Sequence, residues 1–232
     1  MLRTQFEEDL NKLHNQFYSM GTQVSAQLNK AVRAFVSHDR DLAEQVIEGD
    51  HAINDQEKSL ENQSLEMIAL QQPVSSDLRT IITVLKASSD LERMGDHVAS
   101  IAKATISLKG EERIHVVEED ISLLGEKVKS IVDASLNAYI QGNDKRAHEI
   151  AEQQYVIKSM SHEIQEKILD GMKENSETVT TGKEYLLTLV YLERITGYAV
   201  NLCEWIVYLN SGNIIEPVSY THLRAHETSL HL

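Results

Sequence analysis

Along most of the chain, apolar residues recur at intervals of three and four. The first run is Phe6, Leu10, Leu13, Phe17, Met20, Val24, Leu28, Val32 and Phe35. That spacing lays one stripe along a helix of about eight turns. Ser37-His38-Asp39-Arg40-Asp41 interrupts it, and a second stripe follows at Leu42, Val46, Ile53, Leu60 and Met67. Pro73, a residue tolerated in the first turn of a helix, opens a third stripe at Val74, Leu78, Ile81, Leu85, Ala99 and Ile106. After Lys109-Gly110-Glu111 the pattern resumes with Val117, Ile121, Leu124, Val128, Ile131 and Tyr139. Gly142-Asn143-Asp144 separates that helix from a fifth carrying Ala147, Ile150, Ile157, Ile164 and Ile168. The polar stretch 175–183 precedes a sixth with Leu186, Leu189, Val200, Cys203 and Val207. Six long helices with short connections imply antiparallel packing between neighbours.

The six helices fall into two sets of three. Ala34 through Ala43 resembles Ala138 through Ala147, a shift of 104 positions. Leu91-Glu92-Arg93-Met94 resembles Leu192-Glu193-Arg194-Ile195 at a shift of 101. An internal repeat of about 100 residues is more specific than composition. The expected fold is all-α: two tandem three-helix bundles, residues 1–110 and 111–215, with the boundary near Gly110.

The candidate chemistry lies where polar residues interrupt the seams. Continuing the second stripe through its gaps leads to Asp50 and Glu57, and the third stripe leads to Glu92 and Asp96. Asp50 and Asn54 are four apart, as are Glu92 and Asp96, so each pair shares one helix face. Antiparallel helices would bring these carboxylates together, where they repel and lose hydration unless compensated. A hard cation with oxygen ligands is one compensation. His51 and His97 adjoin the acids and are candidates for the same shell. In the plainer reading Arg93 neutralises Glu92 and the acids face solvent.

Composition narrows the classes. Only two prolines, ten glycines and 5% aromatic residues favour long helices over a turn-rich β fold. The net charge of −14 argues against nucleic-acid binding. A single cysteine, Cys203, fits a reducing compartment. The first residues lack the apolar run of a signal peptide, and no stretch approaches the roughly 20 apolar residues of a membrane span. These features predict a soluble cytoplasmic protein.

Leu91-Glu92-Arg93-Met94-Gly95-Asp96-His97, preceded by Gln71-Gln72-Pro73-Val74-Ser75-Ser76-Asp77-Leu78-Arg79, resembles the PhoU family of phosphate-transport regulators. The second copy of that signature resembles Leu192-Glu193-Arg194-Ile195 and 199–206. The resemblance covers residues 1 to about 215. It implies three-helix bundles with surface metal sites, and by position the ligands Asp50, Asn54, Glu92 and Asp96. The cofactor it implies is a divalent or iron ion (Fe, Mn, Mg or Zn). It also implies a homodimeric negative regulator of phosphate uptake and of the phosphate-starvation response. Its partners would be the phosphate ABC transporter's ATPase subunit (PstB) and a sensor histidine kinase (PhoR). The implied protein is an adaptor, not an enzyme.

The second copy departs from the motif. Arg194-Ile195-Thr196-Gly197-Tyr198 stands where the family has Arg-Ile-Gly-Asp-His, and Asp50, Asn54 and Glu57 correspond to Gln154, Lys158 and Ser161. Only Glu193 survives, and Lys158 is expected to place its ammonium against it. A single metal site, in the first half, is the expectation. Cys203 reads as a buried apolar residue, and Trp205 and Tyr208 as packing. Residues 216–232 have no seam and look like adaptor sequence, expected to be disordered. A metal-dependent hydrolase using the acidic site to activate water is the alternative function. A structural, coiled-coil-like role would leave the seam acids unused.

Overall fold

The computed structural model describes residues 2–213, so expectations for the tail at 216–232 lie outside the described residues. The helices are α1 (Leu2–Ser37), α2 (Arg40–Gln71), α3 (Ser75–Ser107), α4 (His115–Gln141), α5 (Asp144–Ala151), α6 (Gln154–Glu174) and α7 (Val179–Ser211). A short 3₁₀ turn, Ser176–Thr178, leads into α7. The first three helices form one bundle and the rest a second. What the sequence presents as one fifth helix is divided between α5 and α6. At the break, the Gln153 N–H donates to the Ile150 carbonyl at 3.0 Å, a tightened i→i−3 turn. Neither proline nor glycine marks the place, so nothing in the residue pattern announced it. The matching stretch of α2 runs on without interruption.

The turns ending α1 and α4 share one geometry. His38 and Gly142, 104 positions apart, both sit in the left-handed region, at φ 54° and 58°. In each turn the next residue closes a six-to-one hydrogen bond: Asp39 N–H to Ala34 O at 2.9 Å, Asn143 N–H to Ala138 O at 3.0 Å. Each of these residues then caps the following helix. Asp39 Oδ1 accepts from the Leu42 N–H and Asn143 Oδ1 from the Arg146 N–H, both at 3.0 Å.

The two bundles join into one continuous apolar core, with α1 packed on α4 and α3 on α7. Both pairs are antiparallel and related by a local two-fold. Gly21 faces Leu136 while Gly125 faces Val32, each the image of the other at a shift of 104. A Cβ at Gly21 would lie 2.3 Å from Leu136 Cδ2, and one at Gly125 2.7 Å from Val32 Cγ1. Glycine is needed here for the backbones to approach. On the opposite layer, Asp90 of α3 accepts from Asn201 Nδ2 and Trp205 Nε1 of α7, both at 3.3 Å. His97 stacks on Tyr191 and Tyr198, with centroids 5.6 and 5.8 Å away. The local two-fold therefore passes between the two Leu-Glu-Arg motifs.

A buried carboxylate, Glu118, ties the bundles at one end. It is 2% exposed. It receives hydrogen bonds from Tyr185 Oη at 2.6 Å and Arg113 Nε at 3.0 Å, and contacts His38 Nε2 at 2.6 Å. Arg113 also donates to the Val36 carbonyl at 2.8 Å. The first turn, the inter-repeat connector and α7 are thus held by one side chain. Burial works to raise the Glu118 pKa, but the bonds from Arg113, Tyr185 and His38 outweigh it, and the net direction is down. No described helix is long and apolar enough to cross a membrane.

Candidate metal centre

Where α2 meets α3, the structure brings Asp50, Asn54 and Glu57 of α2 to the same surface as Glu92 and Asp96 of α3. Asp50, Asn54, Glu57 and Glu92 are half-buried, and Asp96 is exposed. Gly95 lies close against α2: an added Cβ would lie 3.2 Å from Ile53 Cγ2 and 3.3 Å from Asp50 Oδ1, so these side chains would have to give by a few tenths of an ångström.

The polar atoms are only partly matched. Asn54 Nδ2 donates to Asp50 Oδ2 at 3.3 Å, and Ser89 Oγ donates to Glu57 Oε1 at 3.0 Å. Asp50 Oδ1 and Asn54 Oδ1 are buried with no hydrogen-bond partner. Two orphaned acceptor oxygens cost free energy as they stand, and a cation is the partner that satisfies acceptors without a proton. Burial first, then the Asp96 charge, raises the Asp50 pKa. Asn54, His51 and Lys103 oppose that shift. Glu92 is likewise raised, by burial and then by Asp96, Glu57 and Asp50, against Arg93. The four carboxylates therefore share one field, as their seam positions imply. The oxygen-only donor set suits a hard cation. Among the described residues no group of three or more His, Cys, Asp or Glu side chains is gathered closely enough to form a ready-made cage.

His97 is turned away from the acids, toward α7, to stack on its tyrosines. Burial, followed by the Arg194 charge, lowers its pKa. His51 is exposed, and its charge opposes the rise in the Asp50 pKa. Aromatic partners on α7 outcompete the acids for His97, and these lie about 100 residues away in sequence.

The corresponding place in the second bundle is different. Gln154, Ile157, Lys158, Glu193, Thr196 and Gly197 line a cavity of about 130 Å³. Lys158 and Glu193 both border it, yet the expected ion pair between them does not form. Thr196 replaces Gly95, is 2% exposed, and donates its hydroxyl back to the Leu192 carbonyl at 3.0 Å. Its side chain occupies room that glycine leaves in the first copy.

Two carboxylates that the seam pattern did not single out are Glu118 and Asp90. Their partners come from distant helices, so no local spacing marks them. Cys203 is fully buried, and burial pushes its thiol up to about 12, as for an inert core residue. Trp205 is half-buried and packs edge-on against Tyr208.

The PhoU domain description matches residues 17–105 and again 121–206, one copy in each bundle. The chain belongs to the PhoU family. A phosphate-specific transport system accessory protein PhoU homolog of Clostridium acetobutylicum is 37% identical over 217 residues, covering 93% of this chain and 99% of the relative. A Streptococcus pneumoniae homolog of the same description is 35% identical over 215 residues, covering 93% of this chain and 99% of the relative. The crystal structure of the phosphate transport system regulatory protein PhoU from Streptococcus pneumoniae superposes with a TM-score of 0.84 at 34% identity. It covers 90% of this chain and 99% of that one. PhoU from Pseudomonas aeruginosa gives 0.85 at 29% identity, covering 90% and 100%. The match at each bundle agrees with a duplicated PhoU unit.

Proposed function

We propose that this PhoU-family chain is a negative regulator of phosphate uptake and of the phosphate-starvation response. It acts as a cytoplasmic adaptor between the phosphate ABC transporter's ATPase subunit and a sensor histidine kinase. The observation that carries this reading is the near full-length likeness to relatives named as phosphate transport accessory and regulatory proteins. The physical support is a rigid all-helical body with extended faces, suited to docking. The relatives' names are not those of hydrolases, so the hydrolase alternative gains no support. A homodimer belongs to the same reading.

The metal belongs to this proposal too. Asp50, Asn54, Glu92 and Asp96 would hold a hard cation, with Glu57 alongside. The cation would neutralise the carboxylates and fix the crossing of α2 on α3, so the ion's role here is structural. Asp50 Oδ1 and Asn54 Oδ1 are the atoms with most to gain.

Deleting the gene tests the regulatory reading. In phosphate-rich medium the deletion strain is expected to keep starvation genes active and to take up phosphate without restraint. Normal repression together with normal uptake in that strain would overturn the assignment.

A further inference from the structure

The internal repeat supplies a control for reading exposed surfaces, because each position has a counterpart in the same fold. Along α7 an outward stripe runs Leu187, Val190, Arg194, Gly197, and all four residues are exposed. Leu187 is 38% and Val190 48% exposed. The equivalent stripe of α3, at a shift of 101, is Lys86, Ser89, Arg93, Asp96. Arginine is kept in both copies. Around it, the first copy has polar and charged residues: Lys86 and Asp96 are exposed, and half-buried Ser89 donates to Glu57 at 3.0 Å. The second has two branched aliphatic residues and a glycine. The backbone environment is shared, so helix geometry does not account for the difference.

The stripe also has shape and charge. Val190, Glu193, Arg194, Gly197, Tyr198 and Asn201 line an open trough of about 480 Å³. An added Cβ at Gly197 would meet nothing within 4 Å, so the trough opens where the first copy projects the Asp96 carboxylate. It adjoins the smaller cavity bordered by Lys158, sharing Glu193 and Gly197 with it. Among the described residues, neither Lys158 nor Arg194 forms an ion pair. Two unpaired cations against the single acid Glu193, beside exposed aliphatic residues, are complementary to a segment carrying both carboxylates and apolar side chains.

We propose that this stripe of α7, with Lys158 of α6, docks an amphipathic acidic helix of a partner protein. Aliphatic side chains of that helix cover Leu187 and Val190. One of its carboxylates enters over Gly197, between Lys158 and Arg194, in the place where the first copy carries its own Asp96. The residues at 187, 190, 194 and 197 span about three helical turns, the length over which a groove reads side chains at i, i+3 and i+7. The inference rests on the adaptor reading and assigns its docking surface to the second bundle.

The test uses the full chain with two probes: the transporter's ATPase subunit and the cytoplasmic part of the sensor kinase from the same organism. Affinity is measured for the wild type and for a transplant carrying the first copy's residues, Leu187→Lys with Val190→Ser and Gly197→Asp. Arg194→Glu is a second variant, and Lys173→Glu on the far end of α6 is the control. The transplant and Arg194→Glu are expected to weaken at least one probe about tenfold or more. Helicity and melting temperature should stay unchanged, because the altered side chains are exposed. The control should bind as wild type does. A probe that binds wild type and both variants alike overturns the inference and leaves the adaptor reading standing. Failure of both probes to bind wild type overturns both. A change in the mass of the free chain, with partner affinity unaltered, would assign the stripe to a second copy and also overturn the proposal.

Discussion

At equivalent places the two bundles have taken opposite courses. The first places Asp50, Asn54, Glu57, Glu92 and Asp96 at the α2–α3 crossing, with Gly95 packed against Ile53 and Asp50. The second places Gln154, Lys158, Ser161, Glu193 and Gly197 there, fills the crossing with Thr196, and breaks the helix just before Gln154. A duplicated fold keeps the parts that hold it together and lets its sites diverge. The parts held in common are the left-handed turns at His38 and Gly142 and the paired glycines at the α1–α4 crossing. Polar ends diverge as sites do. Glu118 gathers Arg113, Tyr185 and His38 at one end, while its counterpart His14 meets the Tyr139 hydroxyl at 2.7 Å at the other.

The largest expected effect strikes what the copies share. Gly125→Leu drives a side chain into Val32, and Gly21→Leu into Leu136, so each should cost about 3 kcal/mol or more by denaturant unfolding. Similar losses at the two positions would support the local two-fold, whereas a large loss at only one would break the equivalence.

Next comes the end where the copies differ. Glu118→Ala leaves the Arg113 guanidinium, the Tyr185 hydroxyl and His38 without their acceptor, at a cost of about 3 kcal/mol. The folded pKa of Glu118 is depressed below its ordinary 4.5. Its contribution is therefore present in full above that value and is lost as pH falls through the folded pKa. The gap between wild type and Glu118→Gln should narrow on acidification. A gap that stays constant across that range would show that the carboxylate's charge is not what stabilises the junction.

A smaller effect, of opposite sign, is expected at the acidic crossing. Without metal, Asp50→Asn removes a repelling charge from a half-buried cluster and should raise the melting temperature at neutral pH. Neutralising the one acid that remains at this place in the second copy, Glu193→Gln (the counterpart of Glu92), should have less effect because no acid cluster surrounds it. A lower melting temperature for Asp50→Asn in chelator would mean that the cluster is already compensated within the chain. Least of all, Lys158→Ala should alter stability by no more than about 0.5 kcal/mol, since its ammonium has no ion-pair partner to lose.

Much of the fold was legible in the sequence because helical seams, a long repeat and a Leu-Glu-Arg signature are local patterns. The acidic cluster was legible for the same reason: Asp50, Glu57, Glu92 and Asp96 sit on stripes that apolar residues would otherwise complete. What stayed hidden depends on contacts between distant helices. His97 looks like a ligand beside Asp96 until α7 brings Tyr191 and Tyr198 to its ring. Glu118 looks like part of a solvated acid run, Glu118-Glu119-Asp120, until Arg113 and Tyr185 enclose it. Lys158 looks like a counter-ion for Glu193, but the two line one cavity without pairing. The apolar stripe of α7 did leave a trace, since Leu186-Leu187-Thr188-Leu189-Val190 is apolar on more than one face. Its meaning emerged only beside Lys86 and Ser89 of the first copy.

Metal content tests the divergence of the two copies most directly. Purified chain, exposed in turn to iron, manganese, magnesium and zinc and then desalted, would be assayed by elemental analysis alongside Asp96→Ala and Glu193→Ala. Metal should be retained by wild type and by Glu193→Ala, and lost from Asp96→Ala. Equal loss from the two variants, or no retention of any of the four metals by wild type, would contradict it.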